Sequence, residues 1–164
     1  MSKNDCIIEL DRCKNFADVF KLVKKSVKTV LGQSRVGLML YLSDLPPNVG
    51  AYYVVDSNGI VLNRALLDAV TVFAKSKTEV NSYLYSILLH EYLHSLGHLD
   101  EHQVRGLVYK VTEETFGEEH VATQMAIRGP MTFFPEITSV PSISNDRNVE
   151  IIRDFERLDH PYII

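Results

Sequence analysis

His90, Glu91 and His94 stand in the segment His90-Glu91-Tyr92-Leu93-His94, and residue types at this spacing can do metal-assisted hydrolytic chemistry. On a helix, two residues four apart lie about 40° apart around the axis and about 6 Å apart along it, so both imidazoles can converge on one divalent cation. Imidazole nitrogen suits zinc. A carboxylate beside the first histidine stands where it can take a proton from a water that the metal activates. Two histidines and a glutamate buried on an apolar helix without such a partner would be costly, because polar groups lose their hydration. The bare pattern also arises by chance, so the elements around it decide its weight.

Those elements are legible. The motif is predicted to ride on a helix that Thr78 caps, running through Leu84, Ile87, Leu88, His90, His94 and Leu96 to Gly97, a residue suited to the left-handed stop. Apolar residues nearly all round this helix predict that it is buried. A hairpin comes before it: Ala51 to Val55 and Ile60 to Leu62 flank Asp56-Ser57-Asn58-Gly59, where Asn-Gly tolerates positive φ. Val36 to Leu42 reads as a buried strand. Phe16 to Leu31 reads as an amphipathic helix that ends at Gly32, with Lys21, Lys24, Lys25 and Lys28 outward. Asn63 caps a helix carrying Leu66, Leu67, Val70 and Phe73. Asp100, with Gln103 three residues on, opens another whose stripe is Val104, Leu107, Val108 and Val111. A further helix covers Glu118 to Arg128. Met131 to Ser144 reads as extended, and Asn148 to Leu158 as a last short helix. The expected class is therefore α+β, a small mixed or antiparallel sheet with a hairpin packed on helices. It forms one domain over residues 1–164, of which 131–164 are a C-terminal tail.

Composition narrows the function. The chain has 164 residues, 46% of them hydrophobic, and a formal net charge of -4. An acidic balance makes nucleic acid an unlikely main partner, and the lysines of the first amphipathic helix lack interleaved aromatics, so they read as a solvated face. Cys6 and Cys13 make neither a disulfide framework nor a cysteine-only zinc site, which fits a reducing, cytoplasmic setting. No signal peptide is visible at the N-terminus and no run of apolar residues reaches the span length, so no membrane insertion is expected.

Motif and element order together resemble the gluzincin zinc metallopeptidases, especially minimal soluble gluzincins related to catalytic domains of membrane-embedded peptidases, over residues 16–128. The resemblance implies a zincin-like fold and Zn2+ as cofactor. It implies His90 and His94 as metal ligands, Glu91 as general base and then acid, and a glutamate of a later helix as third ligand. It also implies an edge strand, here Ala51 to Val55, that pairs with an extended peptide or protein substrate. Glu119 is the candidate third ligand, because Ala122 and Ala126 on its helix face permit close approach to the motif helix; the family's aspartate four positions on is Thr123 here. His120 is the next candidate, as imidazole is a strong zinc ligand, and Asp100 follows. Asp100 stands ten positions after His90 with Gly97 at the seventh, a spacing that resembles both the metzincins and the endoribonucleases of bacterial ribosomal-RNA maturation. Glu91 stands where those ribonucleases carry glycine. His98 and His102 continue the spacing but read as exposed or supporting residues. The expected activity is zinc-dependent peptide-bond hydrolysis. Alternatives are a metal-dependent endoribonuclease using His90, His94 and Asp100, and an inactive or self-inhibited scaffold that binds proteins, with the tail from Pro141 lying across the cleft.

Overall fold

In the computed structural model, which describes residues 1–139 and 147–156, ten regular elements follow one another. They are α1 (Lys3–Arg12), α2 (Phe16–Leu31), β1 (Met39–Ser43), β2 (Ala51–Tyr53), β3 (Gly59–Asn63), α3 (Arg64–Phe73), α4 (Lys77–Ser95), α5 (Glu101–Phe116), α6 (Val121–Arg128) and β4 (Glu150–Ile152). The architecture is α+β, as the patterning predicts. The four strands lie in the order β2-β3-β1-β4. The sheet is mixed: β1 runs parallel to β3, while the β2–β3 hairpin and the β1–β4 pair are antiparallel.

Local chemistry accounts for most boundaries. Asn15 caps α2 by accepting from the Asp18 N–H, and Gly32 at φ 69° ends it in the left-handed conformation. Asn63 caps α3, and its amide also donates to the carbonyls of Leu45, Pro46 and Val49, pinning the loop before β2. For α4 the cap is Ser76 rather than Thr78. The Ser76 hydroxyl accepts from the Glu79 N–H while the Glu79 carboxylate accepts from the Lys75 N–H, so two donors are satisfied two residues earlier than expected. Helix α1 carries a full capping box between Ser2 and Asp5.

The core lies between the inner sheet face and α4. Leu40, Leu42, Ile60 and Leu62 come from the strands, Phe20, Val23 and Val27 from α2, Leu88, Leu89, Tyr92 and Leu93 from α4, and Val104, Val108 and Val111 from α5. Both cysteines join this core as free thiols, and burial pushes Cys13 up to about 11 and Cys6 up as well. Among the described residues no helix is long and apolar enough to cross a membrane.

The C-terminal region departs from expectation. Pro130–Phe133 and Pro135–Ser139 form two 3-10 turns in place of an extended run, because Phe134 turns inward and meets Tyr83 edge-on at 6.1 Å. The helix expected from Asn148 is, over the described residues, the strand β4. Its backbone completes the open edge of β1, with Ile151 opposite Tyr41 and Ile152 opposite Leu40. Phe155 then stacks on Phe20 at 4.1 Å, and the Glu156 carboxylate accepts from the Gly37 and Leu38 N–H groups. Residues 147–156 of the tail thus lie at the opposite sheet edge from β2. The rest of the expected tail, residues 140–146 and 157–164, falls outside the described residues.

An ion cluster fastens β4. Arg147 reaches Asp44 at 2.7 Å and Asp68 at 3.0 Å, and Arg64 meets Asp44 at 3.4 Å. Hydrogen bonds from Arg147, joined by those from Arg64, bring the Asp44 carboxyl from 3.8 down to about 2. A value lowered by folding stabilises the native state above the unfolded value and ceases to do so as pH falls through the folded one. Arg147→Ala is therefore expected to lower the melting temperature at pH 7, and the deficit should shrink between pH 4 and pH 2. Thermal melts of both proteins across that range check this; a deficit that does not change with pH would contradict it.

Candidate metal centre

The site is assembled by a reversal at the end of α4. Leu96 and His98 N–H groups return to the carbonyls of Tyr92 and Leu93, and Gly97 takes φ 102°, a conformation costly for any residue with a Cβ. Asp100 then caps α5 by accepting from the Gln103 N–H at 2.8 Å. The first residue inside that helix, Glu101, is carried back alongside the last two turns of α4.

There its carboxylate meets both histidines of the motif. One oxygen lies 3.0 Å from His90 Nε2 and the other 2.7 Å from His94 Nε2. The three ligand atoms all lie within 4.8 Å of one another, and among the described residues this is the one group of three or more such side chains close enough to share a cation. His94 Nδ1 lies 2.7 Å from the His98 carbonyl, which can only accept, so Nδ1 carries the hydrogen. In a neutral ring the Nε2 lone pair then faces a carboxylate lone pair across 2.7 Å. Two acceptors at that separation require positive charge between them, from a proton or a cation. Burial pushes His90 below its ordinary value, favouring the neutral ring that a metal needs. Two imidazoles and one carboxylate are a donor set that fits catalytic zinc.

Glu91 lies beside this group and is buried. Burial pushes its carboxyl up to about 7; the nearby His94 and a hydrogen bond from the Tyr53 backbone oppose the rise, and Glu101 adds to it. The Tyr53 contact follows from sheet register. Gly50 and Val54 bond inward to Asn63 and Gly59 of β3, and Tyr52 pairs with Val61 between them. In an antiparallel ladder the alternate residues, Ala51 and Tyr53, therefore turn their backbone groups to the open edge. A trench of about 360 Å³ separates that edge from α4, lined by Ala51, Tyr52, Tyr53, Val55 and Leu99 together with His90, Glu91, His94 and Glu101.

The side chain that the structure groups with the two histidines is not one of those expected. Glu119 lies exposed in the connection between α5 and α6 and does not join the histidines. His120 caps α6: its Nδ1 accepts from the Ala122 N–H at 3.0 Å and its ring stacks on Phe116 at 4.8 Å. Asp100 is engaged at the N-terminus of α5. Glu101 takes the place assigned to these three, seven positions after His94. A signal for it existed, an acid directly after a strong capping residue in a very short connection, but helix first turns favour acids for dipole reasons alone. His98 binds Gln33 through Nε2 and His102 is exposed, so both stay outside the ligand group. No protein-family model, no curated protein and no solved structure matches this chain, so the reading of the centre rests on its own geometry.

Proposed function

We propose that the protein is a zinc-dependent metallopeptidase in which His90, His94 and Glu101 hold the ion and Glu91 moves the proton. The observation that carries this reading is the convergence of both Nε2 atoms on the Glu101 carboxylate while Glu91 opens onto the same trench, beside a strand edge that no other described strand pairs with. Bound there, zinc supplies Lewis-acid polarisation of the scissile carbonyl and brings the pKa of a water toward about 7. The outward backbone groups of Ala51 and the Tyr53 carbonyl pair with an extended peptide and hold it along the trench, while the Tyr53 N–H stays on Glu91. Glu91 accepts a proton on its carboxylate as water adds to the carbonyl carbon, then delivers that proton to the nitrogen as the C–N bond breaks. The Tyr53 N–H and the His98 carbonyl keep Glu91 and His94 aimed while this happens. Two free, buried cysteines fit a reducing compartment, and we place the protein in the cytoplasm.

The ribonuclease alternative gains nothing from this geometry, since Asp100 is engaged as a helix cap and the trench borders a strand edge. Self-inhibition gains nothing either, since residues 147–156 of the tail follow β1. The test is to load the purified protein with zinc, measure the metal content, and assay unstructured peptides and RNA in parallel with and without a chelator. We expect about one zinc per chain, peptide cleavage that stops on chelation and returns with zinc, and intact RNA. Zinc-loaded protein that cleaves no peptide, or that cuts RNA, would overturn the proposal.

A further inference from the structure

The trench does not end at the metal centre. A second hollow of about 600 Å³ shares Tyr53, Val55, His94 and Leu99 with it and continues past the end of α4 to the turn between β2 and β3. Arg35, from the connection between α2 and β1, lines that far part and is half-buried. Its Nη1 donates to the Ser95 carbonyl at 2.8 Å and the Tyr53 hydroxyl at 3.1 Å, and its Nη2 donates to the Ser57 carbonyl at 2.8 Å. Every one of these acceptors is neutral. Among the described residues Arg35 makes no ion pair, in contrast to Arg64 and Arg147, which both hold Asp44. Asp56 lies exposed at the rim of the same hollow and does not pair with it.

A guanidinium carries five N–H donors in a fixed plane and cannot shed its charge. Here carbonyls and a hydroxyl fix its orientation, while among the described residues the Nε–H and one Nη2–H have no hydrogen-bond partner. A carboxylate placed against them would gain charge-assisted hydrogen bonds without any reordering of the arginine, because its entropy is already lost.

On the peptidase reading, we propose that Arg35 makes this hollow an anion subsite, so that the preferred substrates are peptides with an acidic residue near the scissile bond. Antiparallel addition to β2 is the more stable pairing, and it runs a peptide from the Ser57 turn toward Ala51. The acidic residue then falls on the amino side of the bond cleaved. Ser95 directly follows His94, and a strand advances about 3.3 Å per residue, so the acid stands within about three positions of that bond.

The test is a matched peptide series with Glu, Gln or Lys two positions before the bond cleaved, assayed with wild type, Arg35→Lys and Arg35→Gln. We expect wild type to favour Glu over Gln by about tenfold in kcat/KM, to disfavour Lys, and to lose the Glu/Gln ratio in Arg35→Gln while Arg35→Lys keeps part of it. Equal rates for Glu and Gln in wild type, or an unchanged ratio in Arg35→Gln, would overturn the subsite. If Arg35→Gln fails to fold, the salt dependence of the wild-type ratio decides: a ratio that falls with added salt supports the subsite, and a constant one overturns it. If no peptide is cleaved at all, the peptidase reading fails separately. Fluorescence titration of the zinc-loaded protein with the same peptides then tests Arg35, and equal affinity for Glu and Gln peptides counts against it.

Discussion

Glu91→Gln is expected to slow peptide hydrolysis by about 10²- to 10⁴-fold, the range that general acid–base catalysis contributes, while zinc stays bound. The amide matches the carboxylate in shape and can still accept the Tyr53 N–H, but it cannot take a proton from water. None of the three proposed ligands is touched, so metal content is the control that separates chemistry from architecture. Steady-state kinetics on a cleaved peptide, beside metal analysis of the same samples, give both readings. Undiminished activity would remove Glu91 from the mechanism. Simultaneous loss of zinc would make it a structural support of the centre instead.

Glu101→Ala should strip the centre of its metal. Disturbing residues that merely orient ligands typically costs about 10- to 100-fold in affinity; removing the carboxylate that both Nε2 atoms face is expected to cost at least that much. Zinc binding to the native state adds stability by mass action, so wild type should melt at a lower temperature when chelated and Glu101→Ala should not respond. Two further variants sharpen the result. Glu119→Ala should keep both zinc and stability. Asp100→Ala should keep zinc but lose about 1 kcal/mol of stability through its cap. Competition against a fluorescent zinc chelator ranks all four proteins. Retained affinity in Glu101→Ala, with loss in Glu119→Ala, would reverse the ligand assignment.

The contrast between Glu91 and Glu101 shows what a sequence can carry. His90, Glu91 and His94 share one helix, and a helix converts spacing into geometry directly, so their juxtaposition was legible. The hairpin was legible for a similar reason, since turn-forming residues cluster between its two strands, although the positive φ falls on Asp56 rather than on Asn58 or Gly59. Glu101 depends on the angle at which the chain reverses after Gly97, and neither periodicity nor composition encodes that angle. The peptidase resemblance implies a ligand at the start of α6 instead, where His120 serves its own helix as cap. The strand β4 was hidden in another way. Ile151, Ile152 and Phe155 match a helical face as well as a strand, and only the vacant edge of β1, far off in sequence, decides between them. Helix α1 offered too few apolar residues to form a stripe, as only Cys6 and Leu10 in it are buried. Arg35 is silent in the sequence, because an arginine in a connection signals nothing without knowledge of which charges the fold places beside it.

Sealing both sulfurs inside the core has a consequence for how the molecule can be watched. Cys6 and Cys13 are the chain's complete set of thiols, so the native protein presents alkylating reagents with almost no nucleophile at neutral pH. The rate of carboxymethylation then becomes a clock that ticks each time the amino-terminal helix swings free.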